Sequence, residues 1–108
     1  MRDAHTHPSE PLEVLDQRAW LARFESRSEL RRLIDAMLRL APRGSLGEAK
    51  GHYHHAVWAW QAGEHEKSRA ARMQAVSIFE RLGDVAGVAN CRDMEALAER
   101  TVGNHQRA

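Results

Sequence analysis

The chain has 108 residues, which is the size of one domain of about 100–150 residues. Hydrophobic residues make up 43% and charged residues 29%, while 16 Lys and Arg against 15 Asp and Glu leave a net charge of +1. This composition excludes a chain disordered throughout, a small scaffold held by disulfides and a membrane-spanning segment, and the charge gives no electrostatic case for nucleic-acid binding.

Residue types and cysteine use narrow the class further. Ala, Leu, Arg and Glu dominate, the prolines all precede residue 43, and no segment shows strand alternation or an Asn-Gly or Asp-Gly hairpin. We therefore predict an all-α protein. A single cysteine cannot form an internal disulfide, and the polar N-terminus has no apolar stretch of the signal-peptide type, so we expect a cytoplasmic location.

The first helix is predicted to follow a short tail. Residues 1–8 show no periodicity and are expected to be disordered. Ser9 can cap the helix, and Pro11 suits its first turn because the N–H that proline lacks has no helical partner there. Apolar residues at helical spacing extend the helix to about Glu25. They are Leu12, Leu15, Ala19, Trp20 and Phe24.

Two capping boxes predict the starts of the second and third helices. Ser26 precedes Glu29 by three residues, and Ser45 precedes Glu48 in the same way. In this motif the serine side chain accepts a hydrogen bond from the backbone N–H of the glutamate. Pro42 is expected to end the second helix because proline cannot continue one.

Glycines predict the ends of the last three helices. Gly63 and Gly83 follow the third and fourth helices, at the position where a left-handed residue is common. Asp84 can cap the fifth helix. Gly103 is expected to end the fifth helix, which leaves residues 104–108 as a frayed C-terminus.

Two helix junctions recur along the chain. Residues 46–51 (Leu-Gly-Glu-Ala-Lys-Gly) recur as residues 82–87 (Leu-Gly-Asp-Val-Ala-Gly). Residues 62–65 (Ala-Gly-Glu-His) recur as residues 102–105 (Val-Gly-Asn-His). Both intervals, of about 36 and 40 residues, are typical of helical repeat proteins.

These junctions resemble those of the tetratricopeptide repeat (TPR) family. Residues 37–42 (Met-Leu-Arg-Leu-Ala-Pro) are similar to the end of such a repeat, and residues 61–65 (Gln-Ala-Gly-Glu-His) are similar to the turn between its helices A and B. Residues 75–84 (Ala-Val-Ser-Ile-Phe-Glu-Arg-Leu-Gly-Asp) look like the longer repeats of bacterial regulatory proteins. The resemblance covers about residues 28–108.

The resemblance implies a fold and a kind of function. The fold would be a single domain of residues 9–103, with five antiparallel helices stacked as about two and a half TPR-like hairpins of a right-handed solenoid. Helices of type A would line its concave groove. The function implied is protein–protein contact, as a scaffold or adaptor, without enzymatic activity.

Motifs for metal binding and catalysis are weak. His52, His54 and His55 lie close together on the third helix, but zinc needs three or four convergent ligands and the only cysteine is far along the chain. Residues 3–7 (Asp-Ala-His-Thr-His) are similar to a motif of metal-dependent hydrolases, yet they fall in the predicted tail. The sequence has no Gly-rich phosphate loop, G-x-S-x-G or H-E-x-x-H motif. We expect no catalytic residue, no metal and no cofactor.

An arginine-rich segment provides the alternative function. Six arginines lie within residues 23–43 and would allow a helical regulator to contact nucleic acid through this segment. The spacing of Arg32, Asp35 and Arg39 favours a salt-bridged helix face instead. Nucleic-acid binding therefore remains the second interpretation.

The aromatic residues of the third helix are the candidate partner-binding residues. Trp58 and Trp60 lie about 200° apart on a helix, so they cannot both face one core. Trp60 groups with Tyr53 and Val57, whereas Trp58 groups with His54. One face is expected to pack within the chain and the other to form an exposed patch for a protein or peptide. The alternative is that helices one and five cover both faces.

The fifth helix is the candidate for self-association. No sixth helix follows to cover its far side, and small domains bury little core for their surface. We therefore predict a homodimer, with a monomer capped by this helix as the alternative. The candidate interface residues are Val88, Cys91, Met94 and Leu97.

Overall fold

The computed structural model describes residues 10–107, and this part of the chain contains five α-helices and no strand. The helices are α1 (Glu10–Ala22), α2 (Arg27–Leu40), α3 (Leu46–Gln61), α4 (His65–Leu82) and α5 (Val85–Arg107). The prediction of an all-α protein is confirmed. The predicted tail of residues 1–8 and the predicted cap Ser9 lie outside the described residues. None of the described helices combines the length and the apolar composition that a membrane crossing requires.

Side chains cap three helix starts as the sequence predicts. In each case a side-chain oxygen accepts a hydrogen bond from a backbone N–H in the first turn, which satisfies a donor that has no partner within the helix. The pairs are Ser26 with Glu29 at 3.2 Å, Ser45 with Glu48 at 3.2 Å and Asp84 with Gly87 at 2.8 Å.

Three predicted helix ends are confirmed and two are wrong. α2 ends at Leu40, with Ala41 as its C-cap directly before Pro42. Gly63 and Gly83 follow their helices with φ of 78° and 73°, in the left-handed region. The first helix ends at Ala22 instead of Glu25, and in the turn that follows the Ala22 carbonyl accepts the N–H groups of Glu25 and Ser26. Ser26 itself has an extended conformation and caps α2.

The predicted end of the fifth helix at Gly103 is also wrong. The helix continues through Gly103 as far as Arg107. A glycine inside a helix costs only about 1 kcal/mol relative to alanine, so it does not by itself end one.

The core is built around α3, which contacts each of the other four helices. One apolar cluster joins α3 to α4 and α5, and includes Ala75, Phe79 and Met94. The second cluster joins α1 to α2 and includes Ala19, Leu30 and Ile34, with Trp58 of α3 packed against it. Because α3 faces both clusters, it fixes the position of α1 relative to α5.

The left-handed turn after α4 generates a stability prediction. Replacing Gly83 with Val should lower the free energy of unfolding by about 1–2 kcal/mol, because a β-branched residue is strained at positive φ. An added Cβ would meet no atom within 4 Å, so the loss comes from the backbone alone. Urea unfolding measures the change.

Asparagine is the matched control at this position, because it adopts the left-handed conformation more readily than other residues with side chains. Gly83→Asn should therefore retain most of the stability that Gly83→Val loses. Equal stability of the wild type and Gly83→Val would show that the left-handed turn at Gly83 is not formed.

Candidate binding groove

Three helices that are not consecutive, α1, α3 and α5, form the walls of a groove of about 300 Å³. Its lining is mainly apolar and aromatic, as is usual for a binding site. The aromatic and aliphatic side chains are Trp20, Phe24, Tyr53, Trp60, Met94 and Leu97. Phe24 follows the end of α1 and is 79% exposed, while Trp20 and Leu97 are more than one-third exposed. The groove therefore leaves apolar surface open to solvent.

Side chains of opposite charge lie on the two outer walls of the groove, which are formed by α1 and α5. The Arg23 guanidinium lies 4.1 Å from the ring centroid of Trp20 and 5.6 Å from that of Tyr53, in cation–π contact. Asp93 lines the groove from α5 and is exposed. Neither Arg23 nor Asp93 takes part in a salt bridge between described residues. Both charges are thus available to groups of a bound molecule.

The partner-binding candidates on α3 fall on two sides of the molecule. Tyr53, Val57 and Trp60 line the groove together, with Tyr53 and Val57 largely buried beneath it. Trp58 lies on the side of α1 and α2, where its Nε1–H donates a hydrogen bond of 3.1 Å to the carbonyl of Arg27. Trp58 is therefore covered by α2, whereas the face of Tyr53, Val57 and Trp60 lies along the partly open groove.

His54 bonds to Asp16 of α1 and Trp58 packs against the cluster of α1 and α2, but the two rings have different neighbours. The Trp58 ring lies 6.5 Å from the ring of His55, and Arg27 stacks 4.4 Å from its centroid. Arg27 also donates to the Trp58 carbonyl at 3.1 Å and to the side chain of Gln61 at 3.0 Å, and Gln61 donates to the carbonyl of Arg23 at 2.8 Å. These hydrogen bonds hold the turn between α1 and α2 against the C-terminal end of α3. The turn includes Arg23, which lines the groove.

The self-association candidates on α5 do not form an outer face. Cys91 is 2% exposed and Met94 is buried, because both pack into the cluster shared by α3, α4 and α5. Val88 packs against the same cluster. The expectation that α5 presents these side chains outward is wrong, although Met94 and Leu97 do line the groove. Burial raises the pKa of the Cys91 thiol to about 11.

The three histidines of α3 have separate neighbours. His52 lies 3.2 Å from the carboxylate of Glu48, and His55 lies beside Trp58. His54 is 1% exposed, and its Nε2–H donates a hydrogen bond of 2.7 Å to Asp16 of α1. Among the described residues no three His, Cys, Asp or Glu side chains converge on a point where a metal ion could bind.

The pair of Asp16 and His54 supports the groove from below. Trp20 and Tyr53 both pack edge-on against the His54 ring, at 5.4 and 5.7 Å between centroids. Burial raises the pKa of Asp16, but the hydrogen bond and charge of His54, together with the charge of Lys50, outweigh it and leave this pKa below its ordinary value. The role of Asp16 was not predicted from the sequence. Its position next to Leu15, on the side of α1 that faces the core, is the signal that could have identified it.

Apart from Arg23 at the groove, three of the six arginines in residues 23–43 are already engaged within the chain. Arg27 stacks on the ring of Trp58, and Arg32 pairs with Glu29. Asp35 pairs with Arg31 at 3.3 Å, not with Arg32 or Arg39 as the spacing suggested. This reduces the charge that the segment can offer to a phosphate backbone.

Comparisons with family models, with curated proteins and with solved structures found no match to the chain.

The buried pair generates a prediction about acid stability. Because the pKa of Asp16 is lower in the folded chain, the stability it contributes is present in full above its ordinary value of 3.8 and is lost as the pH falls through the folded value. At pH 7, Asp16→Asn should lower the free energy of unfolding by about 2 kcal/mol, since it weakens a charge-assisted bond to a buried ring. Urea unfolding from pH 7 to pH 3 measures both effects.

Asp35→Asn is the matched control, because it removes a carboxylate from an exposed pair with Arg31. Exposed pairs contribute about 0–1 kcal/mol, so its effect at pH 7 should be small. The variant Asp16→Asn should also lose less stability between pH 5 and pH 3 than the wild type does. An identical acid profile would show that Asp16 is not paired in the folded chain.

Proposed function

We propose that this protein is a small, non-enzymatic, TPR-like interaction module that binds a protein or peptide segment in the groove between α1, α3 and α5. The observation that carries the proposal is the partly exposed apolar lining of this groove, contributed by Trp20, Phe24, Trp60 and Leu97. Exposed apolar surface in a concave site is characteristic of binding regions. Such a module would act in the cytoplasm.

The pattern of helix contacts supports a solenoid of about two and a half hairpins. In such an array each repeat packs on its neighbour. Here α3 packs on both α1 and α2, and α5 packs on both α3 and α4. With α1, α3 and α5 as the helices of type A, the groove lies where the concave surface of a TPR-like array would be.

The lining indicates the chemistry of the segment that would bind. An apolar side chain would fill the space between Phe24, Trp60 and Leu97 and displace water from their surfaces. An acidic group beside it would pair with Arg23, and a basic group would pair with Asp93. Because these charges stand on opposite walls, they would fix the direction in which the segment lies.

The nucleic-acid alternative has less support than the groove, because Arg27, Arg31 and Arg32 of the segment that suggested it are engaged within the chain.

Self-association remains part of the proposal. Since Cys91 and Met94 are buried, a dimer would have to use another face than the one expected on α5.

Peptide selection tests the groove. A random peptide library displayed on phage and selected on the immobilised full chain should yield peptides that bind in this groove. For these peptides Leu97→Glu should raise the Kd at least tenfold, since it places a charge against the apolar lining. Isothermal titration calorimetry measures the Kd.

Met73→Glu is the control, because Met73 is an exposed residue of α4 that lies outside the groove. It should leave the Kd unchanged. Selected peptides that bind Leu97→Glu and Phe24→Ala as tightly as they bind the wild type would place the binding site elsewhere.

A further inference from the structure

A second concave surface lies between α4 and α5, and we call it the α4–α5 cleft. Its volume is about 240 Å³, and it shares no lining residue with the groove between α1, α3 and α5. Charged side chains from both helices line it around a short apolar floor. These charged residues are Arg69, Arg72, Glu80, Arg92 and Glu95.

Helical spacing brings the arginines of α4 to the side that faces α5. Arg69, Arg72 and Val76 are three or four residues apart, so their side chains share one face of α4. Arg92 lines the cleft from α5, directly after the buried Cys91 that forms part of the floor. Three guanidinium groups from two helices therefore line one concave surface.

The guanidinium of Arg72 has a donor that the chain does not use. Its Nη1 atom is buried and has no hydrogen-bond partner. Burial raises the pKa of the Cys91 thiol, whereas the charge of Arg72 acts against this rise, so the guanidinium lies near the floor of the cleft. A buried donor of a charged group without an acceptor costs free energy. An acceptor brought into the cleft by a ligand would remove this cost.

The two glutamates of the cleft leave Arg72 without a counter-charge. Glu80 lies 3.8 Å from Arg92, and both side chains of this pair are more than half exposed. Between described residues, neither Arg72 nor Glu95 takes part in a salt bridge. Since three arginines face two glutamates, the cleft keeps a net positive charge.

We propose that the α4–α5 cleft binds a small molecule through an oxyanion group, a phosphate or a carboxylate, which Arg72 holds with Arg69 and Arg92 beside it. A planar guanidinium presents two parallel N–H donors that match the oxygens of either group. Met73 and Val76 would contact an apolar part of the ligand. The cleft is smaller than the ~300–1,000 Å³ of pockets for drug-sized ligands, which favours a small one.

Titration with inorganic phosphate tests the site. In the full ¹⁵N-labelled chain at constant ionic strength, backbone amide signals of α4 and α5 around the cleft should shift in a saturable way, with a Kd on the order of 1 mM. A parallel titration with sodium acetate distinguishes the two groups. Saturation by phosphate alone identifies a phosphate compound as the ligand, and saturation by acetate alone identifies a carboxylate. Sodium chloride is the reference.

Variants of the arginines test which side chains hold the anion. Arg72→Gln should raise the Kd for the anion that binds roughly tenfold or more, because it removes both the charge and the paired donors. Arg69→Gln changes an exposed position, should leave the helices intact and should raise the same Kd to a smaller extent. Arg39→Gln is the matched control, because it removes the same charge from an exposed arginine of α2 outside the cleft. It should leave the Kd unchanged.

Changes of the opposite sign separate binding from a structural role of Arg72. Glu95→Gln should lower the Kd, because it removes a negative charge that repels the anion. Met73→Glu adds such a charge and should raise the Kd, while groove-selected peptides bind it as they bind the wild type. The cleft and the groove are therefore tested independently.

Three results would overturn the inference. The first is the absence of saturable shifts with both phosphate and acetate. The second is an equal Kd for the wild type and for Arg72→Gln and Arg69→Gln, with helicity confirmed by circular dichroism. The third is a rise for Arg39→Gln as large as that for Arg72→Gln, which would show general attraction of anions to the chain instead of a site.

Discussion

The packing of α3 against all four other helices is the constraint on which the rest of the structure depends. Nearly every side of α3 is covered, and small residues let the neighbouring helices approach closely. These small buried residues are Ala49, Gly51, Ala56 and Ala59. Because α1 and α5 do not contact each other within the described part of the chain, the distance between the groove walls depends on how α1 packs on α3 and on how α5 packs on α3 and α4.

The helix starts were predictable because a capping bond joins residues only a few positions apart. Ser26 needs only the N–H of Glu29, and the left-handed Gly83 needs only the helix that it ends. The end of α5 was not predictable from Gly103 in the same way. A helical and a left-handed conformation are both open to glycine, and the residue type alone does not choose between them.

The parts of the site that join distant segments could not be read from periodicity. Asp16 meets His54 across 38 positions, and Trp58 meets Arg27 across 31. Sequence spacing did group Tyr53, Val57 and Trp60 on one face, since that grouping is internal to one helix. That this face becomes a groove depends on where α5 packs, and that position is set by contacts with α4 that no short pattern encodes.

Only α3 joins the two apolar clusters, and this determines which helices can unfold locally while the others stay packed. Within the described residues neither α1 nor α2 contacts α4 or α5, so α1 and α2 can detach as one cooperative unit while α3, α4 and α5 stay packed. Amide protons of α1 and α2 would then exchange with solvent sooner than those of α4. A segment bound across the groove touches both α1 and α5, so it would hold this unit closed and slow its amide exchange.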